Sequence, residues 1–444
     1  MKKILPILFF FVCLSSSYSQ TNSVQLFPGG TFYNSITAAY AAITGAAPIT
    51  QAYTIELQSI YDGSTETFPV TLALVGGVSA SNTITIRPAA GVSSLLISSN
   101  QAGFGTFDLN GANYIIIDGR AGGTGTSKNL TIRNTSNSTT VGTSTIRLQN
   151  DACYNVIKYC VLQGSAKDGN SGTGIVQFGT TTGTLGNSNN YVTRNLMQDD
   201  PTNVTDLPNY CVAANGNTST GTGLNSNNMV TNNELTNFFN RGFSMFGLNG
   251  NNWNIDSNFV YRNSYTKASG ATNCLSILTA ITGWTMNFNT IAGPTPADTF
   301  YMGTGNQQWT GIVSTNGGTG FISGNTISKI RMISTTAGTG INVGGTGANI
   351  TVSGNTISDV IQRNTGEVRG IVSSAPTVSI IGNSINNLQC TNATGTNNNI
   401  RGIFHSGTAS TATIMNNTLN NFVTSGINTT FNATNANPLN GIFV

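Results

Sequence analysis

Acidic residues between positions 151 and 206 are the side chains in this sequence whose type and spacing suit acid–base chemistry. The sequence has only 11 Asp and 4 Glu. A third of these acids fall in this stretch, where the charged residues are Asp151, Lys158, Lys167, Asp168, Arg194, Asp199, Asp200 and Asp206. Hydrolysis of a glycosidic bond requires two carboxyl groups about 5–10 Å apart. We therefore take Asp151, Asp168, Asp199 and Asp200, together with Arg194, as candidate catalytic residues.

Three arginines form a second candidate site, because each precedes the glycine of a recurring Gly-Ile-Val-like segment. They are Arg241, Arg369 and Arg401. If Arg369 and Arg401 stack on adjacent repeats, their like charges repel, and Glu367 is close enough in sequence to neutralise them. A pair of guanidinium groups also suits the carboxylate or sulfate of an acidic glycan. We take the three arginines as candidate ligand-binding residues.

The composition excludes several classes of function. Charged residues are 7% of the chain and the net charge is +3, which excludes a nucleic-acid binder that works by neutralising phosphates. Helix surfaces depend on Glu, Lys and Arg, so an all-α fold is also excluded. The sequence has one histidine, His405, for which we expect a surface or turn position, and no CxxC pair. We therefore expect no zinc or other metal site. Cys153 and Cys160 either form a disulfide or remain buried thiols.

The first 19 residues have the pattern of a signal peptide. Lys2 and Lys3 form a positive start, residues 4–14 are apolar, and small residues precede a cleavage site near Gln20. The apolar run is shorter than the roughly 20 residues that a membrane span requires, although a retained anchor is the alternative. No later segment is apolar enough to span a membrane. The pattern predicts an exported protein that is extracellular or located at the cell surface, in association with the outer membrane.

A repeat runs through the rest of the chain and indicates the elements that position these residues. The pattern apolar-x-x-Asn-x-apolar occurs eight times, with 25 to 38 residues between successive asparagines. The asparagines are Asn195, Asn233, Asn258, Asn289, Asn325, Asn355, Asn383 and Asn417. Each repeat also contains a Gly-Ile-Val-like strand, and no helical pattern of 10–15 residues separates the strands.

Such repeats predict an all-β fold, a single-stranded right-handed parallel β-helix in which each repeat is one turn. Its apolar side chains form buried columns, and the asparagines form a ladder of amide hydrogen bonds at a tight corner. Residues 35–44 predict an N-terminal capping helix with Ile36, Ala39, Tyr40 and Ile43 on one face. We divide the chain into a signal peptide (1–19), a capping region with the first strands (20–110) and β-helix repeats (111–444). The sequence stops within a repeat, so we expect a C-terminal continuation, or a partner covering the last turn.

The repeat also sets the register of the charged residues. Asp199, Lys329 and Asp359 each follow a ladder asparagine by four positions, in a column that faces solvent. We expect a surface salt bridge between Lys329 and Asp359 that stabilises the fold by less than ~1 kcal/mol. Asp200 follows by five positions, in a mostly apolar column. It is either a functional carboxylate or, with Pro201, the place where the strand ends.

Several segments resemble the pectin-lyase-like superfamily. They are the secretion signal, the capping helix, Ile84-Thr85-Ile86-Arg87-Pro88, Ile115-Ile116-Ile117-Asp118-Gly119 and the Gly-Asn-Thr-Ile turns at 324–327 and 354–357. The resemblance implies a secreted right-handed β-helix. The signal sequence and the Asn-, Thr- and Gly-rich repeats look most like those of Bacteroidetes surface proteins. The superfamily includes polysaccharide lyases, glycoside hydrolases, phage tailspikes and bacterial surface proteins. Its lyases commonly use calcium-binding acids with an Arg or Lys base, so the resemblance implies Ca²⁺ only for a lyase and otherwise no cofactor.

Two functions follow as hypotheses. The first is an exported, non-catalytic surface module of a larger cell-envelope protein that serves adhesion or contacts glycans. The second is a polysaccharide lyase or glycoside hydrolase acting on acidic glycans. The expected partners are polysaccharides or other cell-surface molecules, without nucleic acid. Trp253, Trp284 and Trp309 either stack on sugars or fill the core and loops.

Overall fold

The computed structural model describes residues 22–167, 172–216, 222–262, 272–292, 299–302, 308–333, 335–392, 399–407, 411–424 and 439–443. In these ranges the chain winds as a coil with three flat sides, which we call faces 1, 2 and 3 in the order in which each turn visits them. One α-helix, Ile36–Gly45, and one short 3-10 helix, Ala121–Gly123, accompany the strands in the described part of the chain.

Face 1 is a 12-stranded sheet. Its strands are Val70–Ala73, Gly105–Asn110, Ser144–Gln149, Gly174–Phe178, Tyr210–Ala214, Arg241–Met245, Thr272–Ile277, Trp309–Ser314, Gly338–Val343, Val368–Ser373, Ile400–His405 and Leu439–Phe443.

Face 2 consists of an 8-stranded and a 5-stranded sheet, joined by isolated bridges through Asn254. Its strands are Val24–Phe27, Thr31–Tyr33, Tyr53–Leu57, Ile84–Pro88, Ile115–Asp118, Val156–Lys158, Tyr191–Thr193, Met229–Thr231, Ile281–Thr285, Gly318–Ser323, Asn349–Ser353, Thr377–Ile381 and Thr411–Met415.

Face 3 is a 13-stranded sheet. Its strands are Leu95–Ser99, Leu130–Asn134, Cys160–Gly164, Leu196–Asp199, Glu234–Thr236, Phe259–Tyr261, Thr290–Ile291, Phe300–Met302, Thr326–Ile327, Ile330–Met332, Thr356–Gln362, Ser384–Cys390 and Thr418–Thr424.

Successive turns stack in parallel and in register, which places like residues above one another. On face 1, Ile341 pairs with Ile371 and Ile371 with Ile403, and all three side chains are buried. Burial of such columns supplies most of the favourable free energy of a coil of this kind. The predicted all-β parallel β-helix is confirmed. Antiparallel pairing joins the strand Val24–Phe27 to its two neighbours at the amino end.

The eight repeated asparagines form one continuous ladder at the corner between faces 2 and 3. Each side-chain Nδ2 donates to the Oδ1 of the asparagine in the next turn, from Asn195 through to Asn417, at 2.8 to 3.1 Å. The backbone N–H of each member donates to the same Oδ1, as from Asn325 to Asn355 at 3.0 Å. The ladder therefore satisfies polar groups that are wholly buried at the tightest corner of the coil.

The predicted capping helix is confirmed. It spans Ile36–Gly45, and the Ser35 side chain accepts a hydrogen bond from the Ala38 N–H at 3.0 Å, as an N-cap residue does. The four buried residues of the helix are Ile36, Ala39, Tyr40 and Ile43, which are the residues that the sequence pattern placed on one face.

A column of glycines on face 1 allows a close approach between turns. A Cβ added to Gly340 would lie 2.7 Å from the carbonyl oxygen of Gly370, and one on Gly370 would lie 2.4 Å from that of Gly402. Such distances are below van der Waals contact, so only glycine fits at these two positions. This contact explains the recurrence of glycine before isoleucine in the sequence.

Candidate functional site

Asp151 lies at the corner between faces 1 and 2, where its carboxylate holds the loop of the next turn. Its Oδ1 accepts from Thr181 Oγ1 at 2.7 Å and from the Gly186 N–H at 2.9 Å. Its Oδ2 accepts from the N–H groups of Thr184 and Leu185 at 3.0 and 3.2 Å. Four donors on one loop give this carboxylate a structural role.

Asp199 and Asp200 lie at the end of the face 3 strand Leu196–Asp199 and point in opposite directions. Asp199 is half-buried on the outer side and accepts from Asn237 Nδ2 at 3.0 Å. Asp200 is buried, 3.4 Å from Arg133 Nε, and accepts from the Thr202 N–H at 2.9 Å. The strand ends beside Asp200, in line with one of the two alternatives for this residue, and its inward-facing carboxylate is paired with Arg133.

The remaining candidates in this stretch do not converge on these two acids. Arg194 is exposed at the corner between faces 2 and 3, and its guanidinium carbon lies 5.6 Å from the centre of the Tyr159 ring. Arg194 has a left-handed backbone conformation (φ 57°), so the chain turns between it and the strand Leu196–Asp199. Asp168 lies outside the described residues. Asp151 is at a different corner of the coil.

Asp206 forms a separate polar cluster. It contacts Lys167 Nζ, and its Oδ2 accepts from Asn137 Nδ2 at 3.0 Å. Burial alone would raise the pKa of this carboxyl group, but the hydrogen bonds from Asn137 and Lys167 lower it to about 2. The cluster ties the loop after Asp200 to the loops that follow face 3 in the two preceding turns.

Arg241 packs against aromatic rings on face 1. Its guanidinium carbon lies 5.1 Å from the centre of the Phe246 ring and 5.9 Å from that of Tyr210, and its Nη1 donates to Ser244 Oγ at 3.2 Å. Burial lowers the pKa of this arginine. It therefore packs locally, away from the other two candidate arginines.

Arg369 and Arg401, in contrast, lie side by side on adjacent strands of face 1 and share Glu367. Arg369 Nε donates to Glu367 Oε2 at 2.7 Å, and Arg401 Nε lies 2.7 Å from Oε1. The second contact is close in distance but lacks hydrogen-bond alignment, since Oε1 has no aligned donor among the described residues. Sequence reasoning anticipated this triad, with Glu367 as the counter-ion.

These three residues line a groove of about 400 Å³ between face 1 and the loops that connect face 3 to it. The other residues that line it are Thr335, Ala337, Gly366 and Asn399. A lining of guanidinium, hydroxyl and amide groups can donate hydrogen bonds to sugar hydroxyls and to anions. The groove is the place where the described residues bring the predicted ligand-binding side chains together.

Several expectations about single residues are corrected by the structure. Trp253, Trp284 and Trp309 are wholly buried, so the alternative that they stack on sugars is wrong. Asp359 forms its ion pair with Arg331, at 2.7 Å, where the sequence suggested Lys329. His405 is buried at the end of a face 1 strand, whereas a surface or turn position was expected.

Cys153 and Cys160 are buried free thiols, in line with one of the two alternatives for this pair. In the described part of the chain, no three His, Cys, Asp or Glu side chains are grouped closely enough to hold a metal ion. None of the described helical segments has the length and apolarity that a membrane crossing demands.

Sequence reasoning missed two shorter amide ladders at the corner between faces 1 and 2. In one, Asn155 Nδ2 donates to Asn190 Oδ1 at 3.0 Å and Asn190 to Asn228 at 3.2 Å. In the other, Asn187 donates to Asn225 at 3.0 Å and Asn225 to Asn249 at 3.2 Å. The signal was present in the segment Asn-Ser-Asn-Asn, which occurs at 187–190 and again at 225–228.

The fold and the groove define a parallel β-helix protein with a basic cleft on one face. No family model and no curated protein sequence matches the chain. Among solved structures, it is similar to the surface protein and adhesin PfbA of Streptococcus pneumoniae, with 12% identity, a TM-score of 0.40, and coverage of 92% of this chain and 94% of that one. It is also similar to the A-module of the mannuronan C-5 epimerase AlgE6 of Azotobacter vinelandii (12% identity, TM-score 0.34, coverage 78% and 91%). A third similar structure is the Dettilon tailspike protein (11% identity, TM-score 0.38, coverage 93% and 70%). These similarities do not assign the chain to a family.

Proposed function

We propose that the chain is an exported, non-catalytic β-helical module of a surface protein, and that it contacts polysaccharide through face 1. The observation that carries the proposal is that two of the candidate catalytic acids, Asp151 and Asp200, have structural partners. Asp151 holds a loop with four hydrogen bonds, and Asp200 is buried against Arg133. A general acid or base needs access to the proton that it transfers. A carboxylate that is committed to four loop donors, or buried in an ion pair, is poorly suited to that task.

The groove on face 1 supports contact with a glycan. Its volume of about 400 Å³ is within the usual range of small-molecule sites, and its lining offers hydrogen-bond donors. Residues 301–444 carry five basic and two acidic side chains. This region therefore has an excess of positive charge that attracts acidic polymers from a distance.

An assay on the chain without residues 1–20 tests the proposal. The purified protein is incubated with polygalacturonate, alginate, a sulfated glycan and a neutral glycan, and retention and product release are both measured. We expect retention on at least one glycan, without release of unsaturated or reducing ends.

Matched variants separate binding from catalysis. Release of products by the parent chain, with loss of that release in Asp199→Ala or Asp200→Ala, would establish the lyase or hydrolase alternative instead. The Asp62→Ala variant is the control, because Asp62 lies in the capping region, remote in sequence from the acids of the 151–206 stretch. Failure of every glycan to retain the protein would contradict the proposed contact.

A further inference from the structure

The stacked pair Arg369 and Arg401 is not a requirement of the coil. The same column of face 1 holds Asn273, Thr310 and Thr339 in the three preceding turns, and each is in register with the next. Small neutral residues therefore satisfy this position. Two guanidinium groups on strands ~4.8 Å apart repel one another. Stacking them in register is therefore unfavourable unless an anion lies between them.

Glu367 provides that anion, but it neutralises only one of the two charges. Its carboxylate lies against both guanidinium groups and is largely buried, with 12% of its side chain exposed. The cluster keeps a net charge of +1. In the free protein, an internal carboxylate thus occupies the position between the two arginines.

The arginines retain donors for a second anion. A guanidinium group has five N–H donors, and Glu367 accepts aligned hydrogen bonds only from Nε and Nη2 of Arg369. Arg401 lies over the Phe404 ring, with its guanidinium carbon 4.6 Å from the ring centre, and it lines the groove together with Arg369.

We propose that this groove binds one anionic sugar residue of a polysaccharide, through its carboxylate or sulfate, and that Glu367 is the internal competitor for the same donors. The proposal rests on the proposed function and names the chemical class of the glycan. Arg369 and Arg401 bind the anionic group directly. Glu367 lowers the affinity and admits only ligands whose anionic group reaches the free edges of the guanidinium groups.

The test is calorimetric titration of the chain without residues 1–20 with three probes, which are trigalacturonate, its methyl ester and a sulfated trisaccharide. The carboxylate and sulfate probes distinguish the two anions, and the methyl ester is the neutral match. Arg401→Gln and Arg369→Gln are expected to weaken binding of the charged probes about tenfold each, the effect of one lost charge-assisted hydrogen bond. Glu367→Gln is expected to strengthen it about tenfold, because a competing carboxylate is removed.

The matched control is Arg363→Gln, since Arg363 is exposed on the same loop as Glu367 but does not line the groove. It removes the same charge and is expected to change the affinity less than twofold if binding is local. Thermal unfolding verifies that each variant is folded. If Arg401→Gln does not fold, it is replaced by Arg401→Lys, which keeps the charge but loses the planar fork.

Three outcomes would overturn this inference in different ways. If Glu367→Gln weakens binding as Arg401→Gln does, the triad is a structural unit and not a site with an internal competitor. If the protein is retained on neutral glycans with equal affinity in all variants, the proposed function stands and the anionic site falls. Loss of all binding to every glycan removes both.

Discussion

The early turns (residues 53–164) and the later turns (residues 191–424) stack the same kind of strand but join their polar groups differently. In the early turns, opposite charges face each other in register, as Glu56 and Arg87 do at 2.7 Å, and Asp118 and Lys158 at 3.3 Å. In the later turns, identical asparagines face each other along one ladder. The charged pairs satisfy two turns at a time, whereas the ladder continues through eight.

The difference shows which polar contacts can be repeated along a coil. An ion pair is complementary only to its opposite, so a third turn of the same type adds a like charge. An amide carries both a donor and an acceptor, so any number of identical turns can stack without repulsion. Arg369 and Arg401 stack like charges in the later turns, and both line the groove.

The largest effect is expected from breaking the ladder in its middle. In Asn355→Ala, the side chain no longer accepts from Asn325 or donates to Asn383 and to the Ile322 carbonyl. Several buried polar groups lose their partners, at about 1–3 kcal/mol each, so we expect a loss of about 4 kcal/mol in the free energy of unfolding. Urea unfolding followed by circular dichroism measures it.

The control for this variant is Asn110→Ala. The amide oxygen of Asn110 accepts from Asn150 Nδ2 at 2.6 Å on the exposed surface of the early turns. Its removal is expected to cost less than ~1 kcal/mol, since water replaces the lost partner. Equal losses in the two variants would show that buried amide stacking does not distinguish the later turns.

An intermediate effect is expected at the glycine column. In Gly340→Ala, the new Cβ would lie 2.7 Å from the Gly370 carbonyl oxygen and 2.9 Å from Ile357 Cδ1. Such overpacking costs about 1–3 kcal/mol and should lower the unfolding temperature. Gly441 holds the same position in the last described turn, where an added Cβ meets nothing within 4 Å. An unfolding temperature that falls as much in Gly441→Ala would contradict the role of the overlying turn.

The smallest effect is a pH dependence that originates at the boundary between the two regions. The pKa of Asp206 is about 2 in the folded chain, below its ordinary 3.8. Its stabilisation is therefore complete above about pH 4 and is lost as the pH falls towards 2. Because about half of the Lys167 side chain (49%) is exposed and the ion pair is screened there, we expect about 1 kcal/mol. Unfolding curves of the parent chain and of Asp206→Asn between pH 2 and 6 should converge at the acid end, and parallel curves would contradict this assignment.

The sequence was sufficient to predict those parts of the fold in which a residue type recurs at a regular spacing. The apolar-x-x-Asn-x-apolar pattern was sufficient for the main ladder, and the spacing of Ile36, Ala39, Tyr40 and Ile43 for the capping helix. The two shorter ladders escaped because their asparagines lie among other polar residues, where no apolar periodicity marks the corner.

In the candidate site, only contacts between residues that are close in sequence were predictable. Glu367 lies two residues before Arg369, so their contact could be predicted from proximity in the chain. The predicted salt bridge of Asp359 with Lys329 was wrong because the sequence pattern considers only residues directly in register on adjacent turns. The longer Arg331 side chain reaches across diagonally from two positions further along its strand. Burial of the tryptophans depends on the width of the interior, which no sequence pattern expresses.

The asparagine ladder has a direction. Within the row, each side-chain amide donates to the asparagine of the next turn, so these hydrogen bonds all run from the amino end towards the carboxyl end, from Asn195 to Asn417. The side-chain hydrogen bonds of the row therefore form one directed chain, in which each hydrogen bond polarises the next. One amide cannot rotate by half a turn without placing donor against donor and acceptor against acceptor at its two neighbours. The orientation of the whole row is thus a collective property that must be established once, as the turns assemble.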